Sequence, residues 1–298
     1  MYVSRQRLLL PGICLGFSVL AVTAQPRTNL RPITIAVLDF ADASIGKIAA
    51  EKFAARLASP GLTVVDCDLG RAAARGAGYK RSLNMTLSEA RDLGAAIGCD
   101  FYVIGDAQTV RRSSSTGPGY FESYASIFLV SARTGRLISW ERPTFEAATT
   151  ETAERLLLDH LTKDETRRHY LNTIEQAQER ERHEREIALD RNTPIIEEAG
   201  DEKSEGQSLR SPRPYRRLRP AYPDTAARAD AEGTVDVLVD LDTKGEIGRV
   251  EVARWAGFGL DDAAVNTVRQ LHFFPATRDG VAIPMRVLLR YNFRQPAR

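Results

Sequence analysis

Apolar residues follow three rhythms along the chain, and each rhythm predicts a different kind of element. Unbroken apolar runs of roughly four to eight residues mark strands covered on both faces. Residues 33–40, 62–65 and 101–105 are three such runs. Between the first two, Ser44 is placed to cap a helix to Ala58, with Ile48, Phe53 and Leu57 on its apolar face and Gly61 beyond it. Thr86, with Glu89 three residues on, forms a capping box for a helix to Ile97, which Gly98 ends. Strand–helix alternation of this kind predicts parallel pairing with right-handed crossovers. Residues 120–130 and 136–145 then read as an antiparallel hairpin joined by Thr134-Gly135. A helix from about Thr150, carrying Leu156, Leu157 and Leu161, closes an α/β domain over residues 31–163.

Residues 164–192 follow the helical period with little apolar content. Eight acids and six bases lie between Asp164 and Arg191, around a broken stripe of Leu171, Ile174, Ala177, Ile187 and Ala188. The pattern predicts a charged helix, either solvated alone or paired in a weak coiled coil. Residues 193–218 lose the period and read as a flexible linker. Its first half is acidic, while residues 210–219 hold five Arg and two Pro. That basic end is either a solvated tether or a contact for anionic headgroups or an acidic partner.

From residue 219 to 298 the rhythm becomes two. Val235, Val237, Val239 and Leu241 alternate with polar residues except at Leu238, a strand buried on one face. Thr243-Lys244-Gly245 turns it, and residues 247–255 return to make a β-hairpin. A short helix around Ala226, Ala227 and Arg228 precedes the hairpin. A second helix, with Leu260, Ala264, Val268 and Leu271 on one face, follows Gly257 and Gly259. Residues 281–293 form the last strand. In it Met285, Val287, Leu289 and Tyr291 alternate with Arg286, Leu288, Arg290 and Asn292. The whole is a two-domain protein, α/β at the amino end and α+β at the carboxyl end.

The totals add an address. Lys and Arg number 41 against 39 Asp and Glu, a formal +2 over 298 residues, so no strong field favours nucleic acid. The excess is Arg5 plus Arg7, ahead of the mostly apolar residues 8–22 and the small-x-small pattern Val22-Thr23-Ala24. This is a secretory signal cleaved between Ala24 and Gln25, or an anchor retained in the inner membrane. Either reading puts the remainder outside the cytoplasm, in the periplasm. Cys67 and Cys99 then remain, at opposite ends of a parallel sheet, which favours two separate thiols over a bridge.

Motifs for catalysis are few. Asp39 and Asp106 follow strands where α/β proteins often place chemistry, and the loop at residues 111–120 holds Gly and Arg. The chain has no P-loop, no Gly-x-Gly-x-x-Gly after a strand and no Gly-x-Ser-x-Gly elbow. His183-Glu184 has Ile187 where a zincin carries its second His. No catalytic residue, cofactor or metal is expected, and the protein reads as a non-enzyme.

The order of elements at the amino end, with its IAVLDF strand, GCDFYVIG strand and SARTGRL hairpin, resembles the amino-terminal domain of TolB and CsgG-like envelope domains. The carboxyl end carries firmer landmarks. Tyr222-Pro223, Glu232-Gly233 with Val235, Asp242 with Gly245, Leu260-Asp261 with Ala263-Ala264, and Phe274-Pro275-Ala276 resemble the TonB carboxyl-terminal domain in order and spacing. In this reading Gly233 and Gly245 supply tight backbone, and the Leu260 and Phe274 regions clamp a helix to the sheet. The resemblance implies a two-helix, three-stranded antiparallel module that pairs a short peptide of an outer-membrane transporter with a sheet edge. Residues Met285, Arg286, Val287, Leu288, Leu289, Arg290 and Tyr291 of the last strand are the candidate edge, with the Arg residues either reading acidic peptide positions or protecting the edge. Two functions follow. One is energised transport across the outer membrane, with inner-membrane motor proteins as further partners if the amino-terminal segment is retained. The other is a non-energised periplasmic adaptor with two docking domains.

Overall fold

Ile33–Val37 (β1) sends alternate side chains to opposite faces, and both faces are covered. Ile35 and Val37 point into one core, Ala36 and Leu38 into another. In this computed structural model, which describes residues 32–41, 44–113, 118–190, 197–198 and 208–295, the same alternation recurs on the two long strands of the sheet. The elements that follow β1 are α1 (Ser44–Leu57), β2 (Leu62–Val64), α2 (Cys67–Gly76), β3 (Met85–Thr86), α3 (Leu87–Ile97), β4 (Phe101–Arg112), β5 (Tyr120–Ser131), β6 (Leu137–Glu141) and β7 (Thr144–Ala147). Helices α4 (Thr150–Leu161) and α5 (Asp164–Asp190) close this part. The sheet runs β2-β1-β4-β5-β6, with β7 also on β5; β1 pairs in parallel with β2 and β4, and the rest is antiparallel. Continuous apolar runs in these strands are what burial on both faces demands.

The capping box at Thr86 forms as expected. Thr86 Oγ1 accepts from the Glu89 N–H at 3.1 Å, and Glu89 Oε2 accepts from the Thr86 N–H at 2.7 Å. The bond from the Thr86 N–H lowers the Glu89 carboxyl from its ordinary value. Gly98 ends the helix in the left-handed region at φ 75°.

Three local expectations fail here for physical reasons. Ile48 is 41% exposed, because the buried stripe of α1 runs through Ile45, Ala49, Phe53 and Leu57 instead. Cys67 does not close a strand; it opens α2, whose cap Asp66 accepts from the N–H groups of Asp68 and Leu69. That helix has no apolar stripe to announce it, and its one large apolar residue, Leu69, is 68% exposed. Both cysteines are free thiols, and burial pushes Cys99 up to about 12. The third failure is α5, whose one face is neither solvated nor set aside for a partner helix. Tyr170, Ile174 and Ala177 are buried in the α/β core, with Tyr170 edge-on to Phe53 at 4.9 Å. Glu181 extends the stripe, accepting from Arg133 at 2.7 Å and from Thr134 at 3.1 Å. A single tyrosine, absent from the apolar stripe read in the sequence, completes the helix's buried face.

The carboxyl-terminal elements are β8 (Glu197–Glu198), β9 (Leu209–Arg210), β10 (Arg213–Pro214), α6 (Asp224–Arg228), β11 (Gly233–Leu241), β12 (Ile247–Trp255), α7 (Leu260–Val268), β13 (Phe273–Phe274), β14 (Ala276–Arg278), β15 (Val281–Ile283) and β16 (Met285–Phe293). Their main sheet has the order β3-β12-β11-β16-β8. The three expected antiparallel strands, β12, β11 and β16, are therefore flanked by two more, one of them from the amino-terminal part. Helices α6 and α7 cover one face, packing Ala226, Leu260, Ala264 and Val268 on Val235, Val237 and Val239. Pro284 divides the expected last strand into β15 and β16. The basic end of the expected linker is structured as well: β9 pairs with β14, and β10 with β13. The described residues form one compact unit, in which the α/β part and the carboxyl-terminal part are in contact.

Candidate partner-binding edge

The geometry of the carboxyl-terminal sheet follows from its central strand. β11 pairs with β16 along its whole length, from Gly233 opposite Phe293 to Leu241 opposite Met285. Its polar residues point away from the helices and are paired across the strand. Asp236 lies opposite Arg290 and accepts two hydrogen bonds from it, at 2.7 and 2.9 Å. Asp240 lies opposite Arg286 and accepts two, at 2.6 and 2.9 Å. Bidentate pairs between facing residues favour one register, because a slip of one residue would send each carboxylate to the helical face. Arg286 and Arg290 are thus held by β11, so the reading in which they recognise acidic peptide positions gives way to one in which they lock the sheet.

The outer strand β12 carries the contacts to the α/β part. Trp255, 2% exposed, pairs with Met85, and Arg254 pairs with Thr86. Asn84 acts like one more residue of backbone: its amide N–H groups donate to the carbonyls of Thr234 and Trp255 at 2.8 and 2.6 Å, and its oxygen accepts from the Thr234 N–H at 3.1 Å. Trp255 Nε1 donates to the Gly135 carbonyl at 2.9 Å, while its ring stacks on Phe128 with centroids 6.0 Å apart. Phe258 stands edge-on to Phe128 at 5.4 Å and tilted to Trp140 at 5.5 Å. Gly257 between them has φ 73°, and a Cβ there would meet the Phe128 ring at 2.3 Å. Asp261 pins this loop by accepting from the N–H groups of Ala256 and Gly257 at 2.9 and 2.8 Å; desolvation nevertheless raises its carboxyl to about 6. Further along β12, Arg136 bridges Glu184 of α5 and Glu251 at 2.7 and 3.0 Å, beside an open groove of about 1630 Å³.

The other outer strand, β16, is different. On its outer side β8 pairs in parallel with Met285 and Arg286; from residue 287 to 293 no further strand is paired there among the described residues. Met285, Val287 and Phe293 are buried and Leu289 and Tyr291 half-buried, whereas Leu288 is 52% exposed and Arg290 and Asn292 are exposed. The candidate residues 285–291 therefore do lie together on one outer strand.

The landmark residues hold the module in shape. Tyr222 donates its hydroxyl to the Ala231 carbonyl at 2.6 Å, and Pro223 caps α6. Gly245, at φ 81°, lies where a Cβ would come within 2.2 Å of the Phe273 carbonyl oxygen; at Gly233 it would meet the Ala256 Cβ at 2.7 Å. Leu260 and Ala276 are buried and Pro275 is half-buried. Phe274 corrects the expected clamp. It is 46% exposed, and the buried ring is its neighbour Phe273, because consecutive residues of β13 face opposite ways.

Residues 219–295 match the family model described as the Gram-negative bacterial TonB protein C-terminal. This part of the chain is a TonB C-terminal domain. Such domains belong to envelope proteins and interact with other envelope proteins. No curated protein is similar enough in sequence to count as a relative. Among solved structures, the TonB C-terminal domain of Pseudomonas aeruginosa is 22% identical, covering 30% of this chain and 90% of its own, at a TM-score of 0.26. Lipoprotein GNA1162 of Neisseria meningitidis is 14% identical over 44% of this chain and 95% of its own, at 0.31. The PelC dodecamer of Paraburkholderia phytofirmans is 9% identical over 43% and 81%, at 0.28. Likenesses of that size decide nothing about this chain.

Among the described residues, Asp39 and Asp106 bond to different partners and form no reactive pair. Arg71 donates to Asp39 at 2.9 Å, and Asp106 accepts from the Gln108 side chain. Residues 114–117 of the loop after β4, the pair Ala24 and Gln25, and most of the linker lie outside the described residues. Among the described residues no helix is long and apolar enough to cross a membrane. Asn84, Trp255 and Phe258, which join the TonB domain to the α/β part, were not singled out in the sequence. The available signal was a large apolar surplus, Trp255 and Phe258 within four residues, on a module whose own helices already cover its other face.

Proposed function

We propose that this is a periplasmic TonB-family protein that binds an outer-membrane transporter, or another envelope protein, by accepting an extended segment along residues 287–293 of β16. The observation that carries this reading is the single-sided pairing of that stretch: β11 satisfies its inner main chain, and no strand is paired with its outer side among the described residues. An unpaired main chain of this length supplies donors and acceptors for an added strand, and the exposed Leu288 and Asn292 supply side-chain contacts. The protein acts in this reading as a docking protein, with no catalysis and no cofactor.

Energised transport and a non-energised adaptor role both use this edge. The adaptor reading draws support from β3 and Asn84, which build the TonB domain into the α/β part. In it the α/β domain, similar in its order of elements to TolB and CsgG-like domains, is the second docking surface, and the chain is released by cleavage after Ala24. The test is amide hydrogen exchange on the full chain with and without amino-terminal peptides of outer-membrane transporters. Slowed exchange confined to β16 is expected. Slowing elsewhere, or none with any peptide that the protein retains, overturns the edge.

A further inference from the structure

Residues 208–218 precede the family match, and the structure turns them from an expected tether into a fixed surface. β9 and β10 hold Arg210 opposite Thr277 and Arg213 opposite Phe274, and the Tyr215 N–H donates to the His272 carbonyl at 2.8 Å. Arg210, Arg213, Arg216, Arg217 and Arg219 are all exposed, and among the described residues none of the five forms an ion pair with a carboxylate. Two of the most exposed large apolar side chains of the described residues lie among them: Tyr215 at 60% and Phe274 at 46%. Their rings touch, with centroids 4.1 Å apart, and the Arg213 guanidinium sits 5.1 Å above the Phe274 ring. His272 lies beside Tyr215 at 6.4 Å.

The geometry points to this basic and aromatic surface as a docking site for an anionic lipid bilayer. Three features of the patch select that partner. The five guanidinium groups carry one sign and, among the described residues, none is neutralised in an ion pair, in contrast to the paired Arg residues of β16. Amphipathic rings beside guanidinium groups suit the headgroup layer, where the ring enters the apolar boundary and the charge remains at the phosphates. The segment is also held by strand pairing, so little chain entropy is lost when it docks. A bilayer surface is flat, and the patch needs no pocket to meet it. This surface is separate from the peptide edge proposed above and does not depend on it.

The experiment is co-sedimentation of the chain beginning at Gln25 with vesicles of phosphatidylethanolamine and phosphatidylglycerol, beside vesicles of phosphatidylcholine alone. Binding to the anionic vesicles only, weakening as salt is raised, is expected. R213Q/R216Q/R217Q should weaken it roughly a hundredfold, at about fivefold per basic residue near an anionic surface. Y215S/F274S should weaken it at constant charge. A control, R91Q/R155Q/R180Q, removes equal charge from exposed helix positions of the α/β part and should leave binding within about threefold, since screening confines the attraction to charges near the bilayer. Far-ultraviolet dichroism and thermal melting of each variant separate lost binding from lost folding. Equal retention on both vesicle types, or equal loss in the control, overturns the proposal. Retention on polyglutamate beads with the same Arg dependence, and on neither vesicle, assigns the surface to an acidic protein and also overturns it.

Discussion

The two outer strands of the TonB-domain sheet have similar lengths and each takes a two-residue partner strand, yet they are finished differently. β3 joins β12 at Trp255, and β8 joins β16 at Met285, at diagonally opposite corners of the sheet. At the first corner the added strand is one part of a larger seal. Asn84 satisfies three main-chain groups, Trp255 is buried with its N–H bonded, and Phe258 fills the space between two aromatic rings. On β16 the exposed Leu288, Arg290 and Asn292 follow directly after the paired residues. The contrast teaches that a short strand seals the corner it meets when apolar burial and side-chain hydrogen bonds complete it, because two ladder residues alone contribute little.

Breaking the sealed corner should have the largest effect. Trp255→Ala removes a buried ring and leaves the Gly135 carbonyl without its donor, so a loss of about 3–5 kcal/mol is expected in urea unfolding. A loss below about 1 kcal/mol would show that the ring is not part of a sealed core. Asn84→Ala comes next, at about 2–3 kcal/mol, since it leaves three part-buried main-chain groups of Thr234 and Trp255 without their partner. Amide exchange at Thr234 should quicken in that variant while the middle of β4 stays protected.

A smaller effect appears as a pH dependence. Burial raises the Asp261 carboxyl from 3.8 to about 6, so the folded state holds this proton more tightly than the unfolded chain. The resulting stabilisation is complete below 3.8 and is lost as pH rises through about 6. Asp261→Asn, with no charge to titrate, should lack that fall when unfolding midpoints are compared across the same window. The smallest change in stability belongs to the open strand. Leu288→Ser should shift stability by no more than about 0.5 kcal/mol while weakening peptide capture. A large loss of stability would mean that β16 is covered after all.

Much of the scaffold was readable beforehand because it rests on local chemistry. The capping box at Thr86 and Glu89, the left-handed Gly98 and the helix face of Leu260, Ala264 and Val268 each depend on residues within a few turns of one another. The helix α2 escaped because Ala, Gly and Arg supply propensity without a stripe. Helix α5 was misjudged because its packing depends on Tyr170, whose partner Phe53 is far away in the chain. The candidate edge was legible in part: alternation located β16, but alternation does not say which neighbours a strand has. Arg286 and Arg290 looked free in the sequence because Asp240 and Asp236, which hold them, lie on another strand.

The amino-acid sequence by itself determined most of the kinds of elements and the landmarks of a TonB domain. These follow from periodicity, capping and backbone freedom, all short-range properties that a linear pattern displays. Only the tertiary structure decided that Asn84 and Trp255 join the two parts, that α5 belongs to a core and that a supposed tether presents a fixed basic face. Each of those outcomes depends on which distant surfaces meet, and the free energy of burying or pairing a side chain does not exist until its partner is in place.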